Sequence, residues 1–413
     1  SWRADAVDEV GRVLALPPSP GIPLGLYLHI PFCRTRCKFC YYKVYTEMDS
    51  SQIKSYLAGL SREVEMLTAT AAVAGRPLKF VYFGGGTPSF ISVRDLKALA
   101  ARLTRALPWT DAEEITFECE PGTLTVAKLE AIRSIGVTRL SLGVESFDDA
   151  ILEENGRAHL TPEIYRVMPW IRAADFEQLN IDLIAGMIGE TWETWRDSVR
   201  KTIDLDPDSV TIYQMELPYN TIYSGALREG RGHVSVADWS LKRAWHDHAI
   251  SEMEGAGFEI STAYTMVKKG RGSRFIYRDA VWRGCDLLGT GVASFSHVNG
   301  VHFQNESEWG GYLGRIEKGE LPLARAHVTT PKERMTRELI LQLKEGKLSP
   351  GYFKNKFGVS IEAEYAAAFA GLRGDGLLLG DGGQLTLTRE GLLKVDSLLS
   401  GFYAPEFQNT RYT

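Results

Sequence analysis

The sequence predicts an α/β protein: a partial (β/α)6 barrel followed by a C-terminal, mostly helical domain with a winged-helix-like element. Three observations carry this. Short apolar runs alternate six times with helical apolar periodicity between about residues 23 and 225, the pattern that builds a parallel sheet with helices outside it. Glycines, carboxylates and tyrosines gather just beyond the apolar runs, where the loops of a parallel sheet converge on a site. Beyond about residue 226 this rhythm is lost, and from about residue 306 helical periodicity dominates.

Taken in order, residues 1–22 are an N-terminal arm whose four prolines between positions 17 and 23 cannot continue a helix. The core, residues 23–225, opens with a strand from Leu24 to Ile30. A helix from Ser51 to Ala74 follows, with Ile53, Tyr56, Leu57, Leu60, Val64 and Leu67 on one face. Strand and helix pairs then follow at 79–83 and 93–107, 114–118 and 125–135, and 139–143 and 148–154. A second helix at 161–173 precedes strand 177–184, helix 191–205 and strand 209–217. Residues 226–305 form a core extension that completes the site, with a helix at 236–255, strand-like segments at 258–264 and 301–305, and a glycine turn from Gly289 to Ala293. Residues 306–413 form the helical domain, with a hairpin expected within 372–387.

Net charge is −5 over 413 residues, which argues against a nucleic-acid or anionic-membrane surface, since both need a basic field. No run of about 18 apolar residues occurs, so no membrane span is expected, and a cytoplasmic location follows as the expectation. A small molecule becomes the default substrate. Hydrophobic residues at 44 % are enough for a full core.

Three of the five cysteines, Cys33, Cys37 and Cys40, fall in one loop directly after the first strand with the spacing C-x3-C-x2-C. Thiolates so close together converge on a compact metal cluster, and three ligands leave one iron of a four-iron cluster open. A structural zinc site would need a second pair of ligands, and none follows. Disulfides would staple nothing distant from so short a loop. Cys119 and Cys285 read as buried free thiols.

Gly84, Gly85 and Gly86 with Thr87 end the second strand, where backbone N–H groups can approach a ligand because no Cβ obstructs them. Tyr27, Glu118, Glu145, Asp182 and Tyr213 sit on or just past the other strands. Each carboxylate alone could cap a helix, but their shared position points to a site.

With Phe39 before the last cysteine and the run Tyr27 to Cys33, this loop resembles the signature of radical S-adenosylmethionine (SAM) enzymes, and more narrowly of their coproporphyrinogen-oxidase-like branch. The resemblance spans roughly residues 20–410. It implies a [4Fe-4S] cluster on Cys33, Cys37 and Cys40. It also implies SAM held by Tyr27, Phe39, Gly84, Gly85, Gly86, Thr87, Glu118, Glu145, Arg157, Asp182 and Tyr213, with Arg157 on its carboxylate and Asp182 on its ribose. The branch's oxidases have glutamine in place of Glu145 and a fourth cysteine in place of Tyr42, and its heme chaperones show Asp-Phe where this chain has Tyr41 and Tyr42. With the run ending at Asn305 and the segment from Phe402 to Glu406, these departures look most like the branch's class C radical methyltransferases and cyclopropane-forming enzymes.

That likeness implies transfer of a methylene or methyl group from a second SAM molecule to an sp2 carbon of an aromatic or heteroaromatic natural product. Gly289, Gly291 and Ala293 are then the candidates for the second SAM pocket, and Tyr213, Glu216 and His297 the candidates for moving a proton. A reductant such as flavodoxin or ferredoxin is implied, and room is left for a methyltransferase-like partner. The alternatives within the same branch are an oxygen-independent coproporphyrinogen III oxidase-like decarboxylase and a heme chaperone.

Overall fold

The computed structural model describes residues 2–230 and 235–408. Six parallel strands stand side by side in chain order: β1 (Leu24–Ile30), β2 (Leu78–Gly85), β3 (Glu114–Cys119), β4 (Arg139–Glu145), β5 (Gln178–Ala185) and β6 (Ser209–Gln214). Each is followed by helix, because parallel neighbours need a crossover and the crossover helix buries the outer face of the sheet. The expected alternation is present in order and kind. The sheet does not close, and among the described residues it grows to twelve strands by additions at both edges.

At one edge, the hairpin β7 (Phe258–Ile260) and β8 (Thr265–Lys268) runs antiparallel to β6. At the other edge, β9 (Asp286–Thr290) lies parallel to β1 and leads into the antiparallel strands β10 (Phe295–Val298), β11 (Val301–Asn305) and β12 (Leu323–Val328). The extension after the sixth strand is therefore one sheet carried past both flanks of the barrel strands.

Local chemistry sets the helix bounds. The first crossover helix starts at Ser50 because the Asp49 carboxylate accepts the N–H groups of Ser51 and Gln52, while the Gln52 side chain accepts the N–H of Asp49. It ends at Thr68 instead of running to Ala74: Thr70 returns its hydroxyl to the Leu67 carbonyl at 2.7 Å, and Gly75 takes a left-handed φ of 71°. The helix Trp239–Gly255 starts at an Asp238 cap, three residues later than its apolar periodicity suggests.

The C-terminal residues build a second hydrophobic cluster, centred on Leu339, Phe353, Phe369 and Phe402, into which Ala263 of the β7–β8 hairpin is packed. Its hairpin is shorter than expected: β14 (Leu378–Leu379) pairs with β15 (Leu385–Leu387), which also takes up β13 (Lys347–Leu348). This unit docks on the helix Trp239–Gly255 through Arg389, whose guanidinium meets Asp247 at 2.6 Å and Glu254 at 3.2 Å.

The glycine turn between β9 and β10 is a structural tie. Glu63, buried on the first crossover helix, accepts the Gly291 N–H at 2.8 Å, the Tyr312 hydroxyl at 2.6 Å and the Asn305 amide at 2.6 Å. Gly289 gives its N–H to the Ser296 hydroxyl and Ala293 gives its own to the Glu306 carbonyl. A Cβ on Gly291 would lie 2.4 Å from the Tyr56 hydroxyl and 2.9 Å from the His29 carbonyl, with φ at +97°. These amides are spent inside the protein.

Two predictions follow from this tie. Gly291→Ala should lower unfolding stability by about 1–3 kcal/mol, from overpacking and the left-handed φ, as a denaturant titration of the ligand-free chain would show. Burial raises the Glu63 carboxyl to about 7 although three hydrogen bonds oppose the shift. A carboxyl raised on folding binds its proton more tightly in the native state, so its contribution is fully present below about pH 4.5, the ordinary glutamate range, and is lost as pH rises through about 7. Melting temperatures taken across that window should fall more steeply for the wild type than for Glu63→Gln; parallel curves would contradict the linkage.

Candidate functional site

The C-terminal ends of β1 to β6 open into a chamber of about 900 Å³. One end is the cysteine loop. It is pinned at its base by Cys33 N–H to Tyr45 O and Tyr45 N–H to Pro31 O, and at its tip by Lys38 N–H to Asn155 O. All three cysteines line the chamber and are half-buried. The Thr87 hydroxyl approaches the Cys33 sulfur at 3.4 Å, and Arg157 Nη1 approaches the Cys37 sulfur at 3.5 Å. Burial pushes the Cys33 thiol up to about 12 and raises Cys40 as well.

The glycine run is a cradle. At Gly86 a Cβ would meet backbone atoms of Ile30, Pro31 and Phe32 at 2.8 to 2.9 Å, and Gly85 has φ of +112°. Neither position admits a side chain without moving backbone. Glu118 fixes the cradle from the next strand, accepting the Gly85 N–H at 3.2 Å and the Tyr82 hydroxyl at 2.6 Å. Burial lifts its carboxyl to about 7.

A bulge at the end of β4 aims the next acid. The register slips between Gly143 and Glu145, and Glu145 takes a left-handed φ of 67°, a conformation a non-glycine residue holds only where its surroundings enforce it. Its carboxylate faces Arg157 at 3.6 Å, and Arg157 Nη2 also donates to the Gly143 carbonyl at 2.8 Å. Arg157 Nε has no partner among the described residues. Burial raises Glu145 and Asp182 too, and Ser141 and Asn180 hold Asp182 by hydrogen bonds of 3.0 and 2.9 Å.

On the same chamber wall Glu120 joins the loops. It accepts Arg34 Nη2 at 3.0 Å and the Gly122 N–H at 2.9 Å, and lies 3.2 Å from His159 Nδ1. Its burial favours the neutral form, but His159, Gly122 and Arg34 together outweigh that and hold the carboxyl down at about 2.

The donor set fits an iron–sulfur cluster with SAM beside it. Three thiols share one wall, and a metal cluster binds cysteine as the thiolate, releasing its proton. A cradle closed to side chains and a guanidinium with an orphaned N–H lie next to them. Among the described residues no three His, Cys, Asp or Glu side chains form a group able to hold a single metal ion.

Of the residues singled out from sequence, Cys33, Cys37, Phe39, Cys40, Gly85, Gly86, Thr87, Glu118, Glu145, Arg157, Asp182, Tyr213 and Glu216 line this chamber. Tyr27 and Gly84 stand just behind it: the Tyr27 hydroxyl meets His29 at 3.3 Å, its ring stacks on Tyr82, and a Cβ on Gly84 would press on Tyr82. Gly289, Gly291 and Ala293 do not line it, which corrects the expectation of a second SAM pocket there, since their amides serve the Glu63 tie and the neighbouring strands. His297 is likewise displaced from the proton-moving role: it is 6 % exposed on β10, its ring 4.3 Å from that of His302.

The far end of the chamber was not legible in sequence. Trp239 and Arg243 come from the long helix, Tyr264 from the β7–β8 hairpin, and Lys344, Lys394 and Asp396 from the C-terminal unit. Asp396 accepts the Tyr264 hydroxyl at 2.7 Å and pairs with Lys344 at 2.9 Å. Charged residues on amphipathic helices carry no sequence mark that separates a cavity wall from a solvated face.

Comparison with known proteins agrees with this architecture. Residues 27–202 match the Radical SAM superfamily and residues 329–393 the HemN C-terminal domain. The chain is 27 % identical to the heme chaperone HemW of Bacillus subtilis, over 91 % of its own length and 98 % of that protein's. It is 25 % identical to the oxygen-independent coproporphyrinogen III oxidase of Synechocystis, over 92 % and 84 % respectively. The fold is that of coproporphyrinogen III oxidase (HemN) from Escherichia coli, with a TM-score of 0.83 at 22 % identity, covering 97 % of this chain and 94 % of that one. Relatives matched along nine-tenths of the chain are thus named as oxidase and chaperone. The expected methyl or methylene transfer, with its kinship to class C methyltransferases and cyclopropanases, is overturned. Among the described residues no helix is long and apolar enough to cross a membrane.

Arg157 supplies the test of this site. Arg157→Lys keeps the charge and loses the fork. SAM should then bind the reconstituted protein about 1–3 kcal/mol more weakly, the scale of a charge-assisted hydrogen bond; an unchanged dissociation constant by calorimetry would remove Arg157 from the site.

Proposed function

We propose, on the premise that the chain belongs to the Radical SAM superfamily and carries a HemN-type C-terminal domain, that it removes carbon dioxide from propionate side chains of a porphyrinogen, in the manner of an oxygen-independent coproporphyrinogen III oxidase. The observation that supports this most is the two-ended chamber, in which the thiol and glycine end faces an aromatic and cationic end across about 900 Å³. That volume stands at the upper end of the range usual for ligand pockets, about 300–1,000 Å³, as a site shared by more than one ligand requires.

When bound, an iron–sulfur cluster and SAM supply a one-electron cleavage able to take a hydrogen atom from a substrate carbon. The chain's residues do the positioning. Arg157 holds an anionic group beside Cys37, Asp182 offers its carboxylate to hydroxyls, and the Gly85–Gly86 cradle admits a ligand to backbone distance. Tyr213, 51 % exposed at the end of β6, presents its ring to the chamber between the two ends. Tyr42, Tyr264 and Trp239 add aromatic surface around it. Loss of carbon dioxide from the substrate radical leaves one electron over, which an external acceptor takes, and a flavodoxin or ferredoxin is the reductant for SAM cleavage.

Heme carriage is the second reading, favoured by the length of the match to the Bacillus chaperone and by Tyr213 and Met215 in the chamber wall, both residue types that ligate heme iron.

The two readings part in one assay. Anaerobically reconstituted protein given SAM, a reductant and coproporphyrinogen III should release 5′-deoxyadenosine and a porphyrinogen lighter by carbon dioxide. Deuterium in the SAM methyl group should not enter the 5′-deoxyadenosine. Stoichiometric hemin binding with no porphyrinogen-dependent SAM cleavage would replace the decarboxylase reading with the carrier reading.

A further inference from the structure

The cations at the far end of the chamber differ in how they are satisfied. Lys394 pairs with Glu390 one turn earlier, and Lys344 pairs with Asp396. Arg243 is half-buried on the chamber wall and has no ion pair or hydrogen bond among the described residues. A guanidinium partly withdrawn from water without a counter-charge is unfavourable unless a ligand supplies one, and its planar fork matches a carboxylate in two hydrogen bonds.

Its position is fixed by its neighbours. Arg243 lies one helical turn before Asp247, the residue that anchors Arg389 of the C-terminal unit, so both lie on the helix face turned toward that unit. On the strand side, Gln214 holds His246 at 3.0 Å. The fork is therefore carried on an element clamped from two directions.

We propose that Arg243 is a carboxylate-binding residue that docks an acidic side arm of the substrate at the junction with the C-terminal unit, with Lys344, which lines the same chamber, shared between that arm and Asp396. This rests on the porphyrinogen reading above and deepens it: the arm held at Arg243 is one that does not react, and holding it turns another arm toward the cysteine end. Specificity for a ring bearing several carboxylates would then be read at two places far apart in one chamber.

The test uses coproporphyrin III, the air-stable oxidised form of the substrate, and its tetramethyl ester as fluorescent probes of the full-length reconstituted protein. Arg243→Gln should weaken binding of the free acid about ten-fold or more, the effect of losing a charge-assisted pair, and change ester binding less than about two-fold, since the ester offers that pair nothing to lose. Arg243→Lys should fall between, because charge remains and the fork is lost. Melting temperatures of both variants should match the wild type, as expected for a residue with no ion pair or hydrogen bond among the described residues. Wild-type protein that binds the acid while Arg243→Gln binds it equally well, or loses acid and ester alike, overturns the assignment to Arg243 and leaves the porphyrinogen reading standing. Wild-type protein that binds neither probe overturns both.

Discussion

The carboxylate of Glu120 touches three loops at once. It receives Arg34 from the cysteine loop, Gly122 from the turn after β3, and faces His159 from the segment that carries Arg157. Burial alone would neutralise such a group, yet its partners hold it ionised. A buried charge that is fully partnered fixes relative positions, because removing any one partner leaves the others uncompensated. The spacing between the cysteine sulfurs and the Arg157 fork therefore depends on a residue of the same chamber wall, and loop convergence at the end of a parallel sheet becomes a defined geometry through it.

The barrel interior explains why the chamber opens upward. Below Glu118 and Asp182 the strands turn polar side chains inward, and Arg139, 2 % exposed, fills the space with its guanidinium 4.0 Å from the Phe275 ring. Glu114 closes the bottom by accepting the N–H groups of Ile276 and Tyr277. With the lower interior occupied, a large ligand has only the space between the strand ends and the C-terminal unit. That unit is held over the strand ends by Ala263 packed into its cluster, by the Ala263 N–H to Lys344 O bond and by the Arg389 pairs with Asp247 and Glu254.

The correction at the glycine turn has a physical basis. Gly289, Gly291 and Ala293 resemble a ligand loop in sequence because close backbone approach needs the same residues whatever approaches. Here the approaching group is Glu63 with the Tyr56 hydroxyl, both from the first crossover helix. Glycine run 84–86 and glycine turn 289–291 look alike on paper, yet Gly85 and Gly86 line the chamber while the Gly291 N–H is taken by Glu63.

Sequence by itself determined the parallel core, since hydrophobic period and strand–helix alternation are local properties, and it determined the thiol end of the chamber, since Cys33, Cys37 and Cys40 lie within eight residues of one another. Acids and glycines at strand ends were legible for the same reason: a parallel sheet brings all its C-terminal ends to one side. Tertiary structure alone decided the rest. Sheet growth at both edges depends on pairings such as β9 with β1, whose residues lie more than 250 positions apart. Arg243, Tyr264, Lys344 and Asp396 share a wall because the C-terminal unit docks on the core through the packing of Ala263 into its cluster, the Ala263 N–H to Lys344 O bond and the Arg389 pair with Asp247, and no local pattern encodes which face of an amphipathic helix such contacts will enclose.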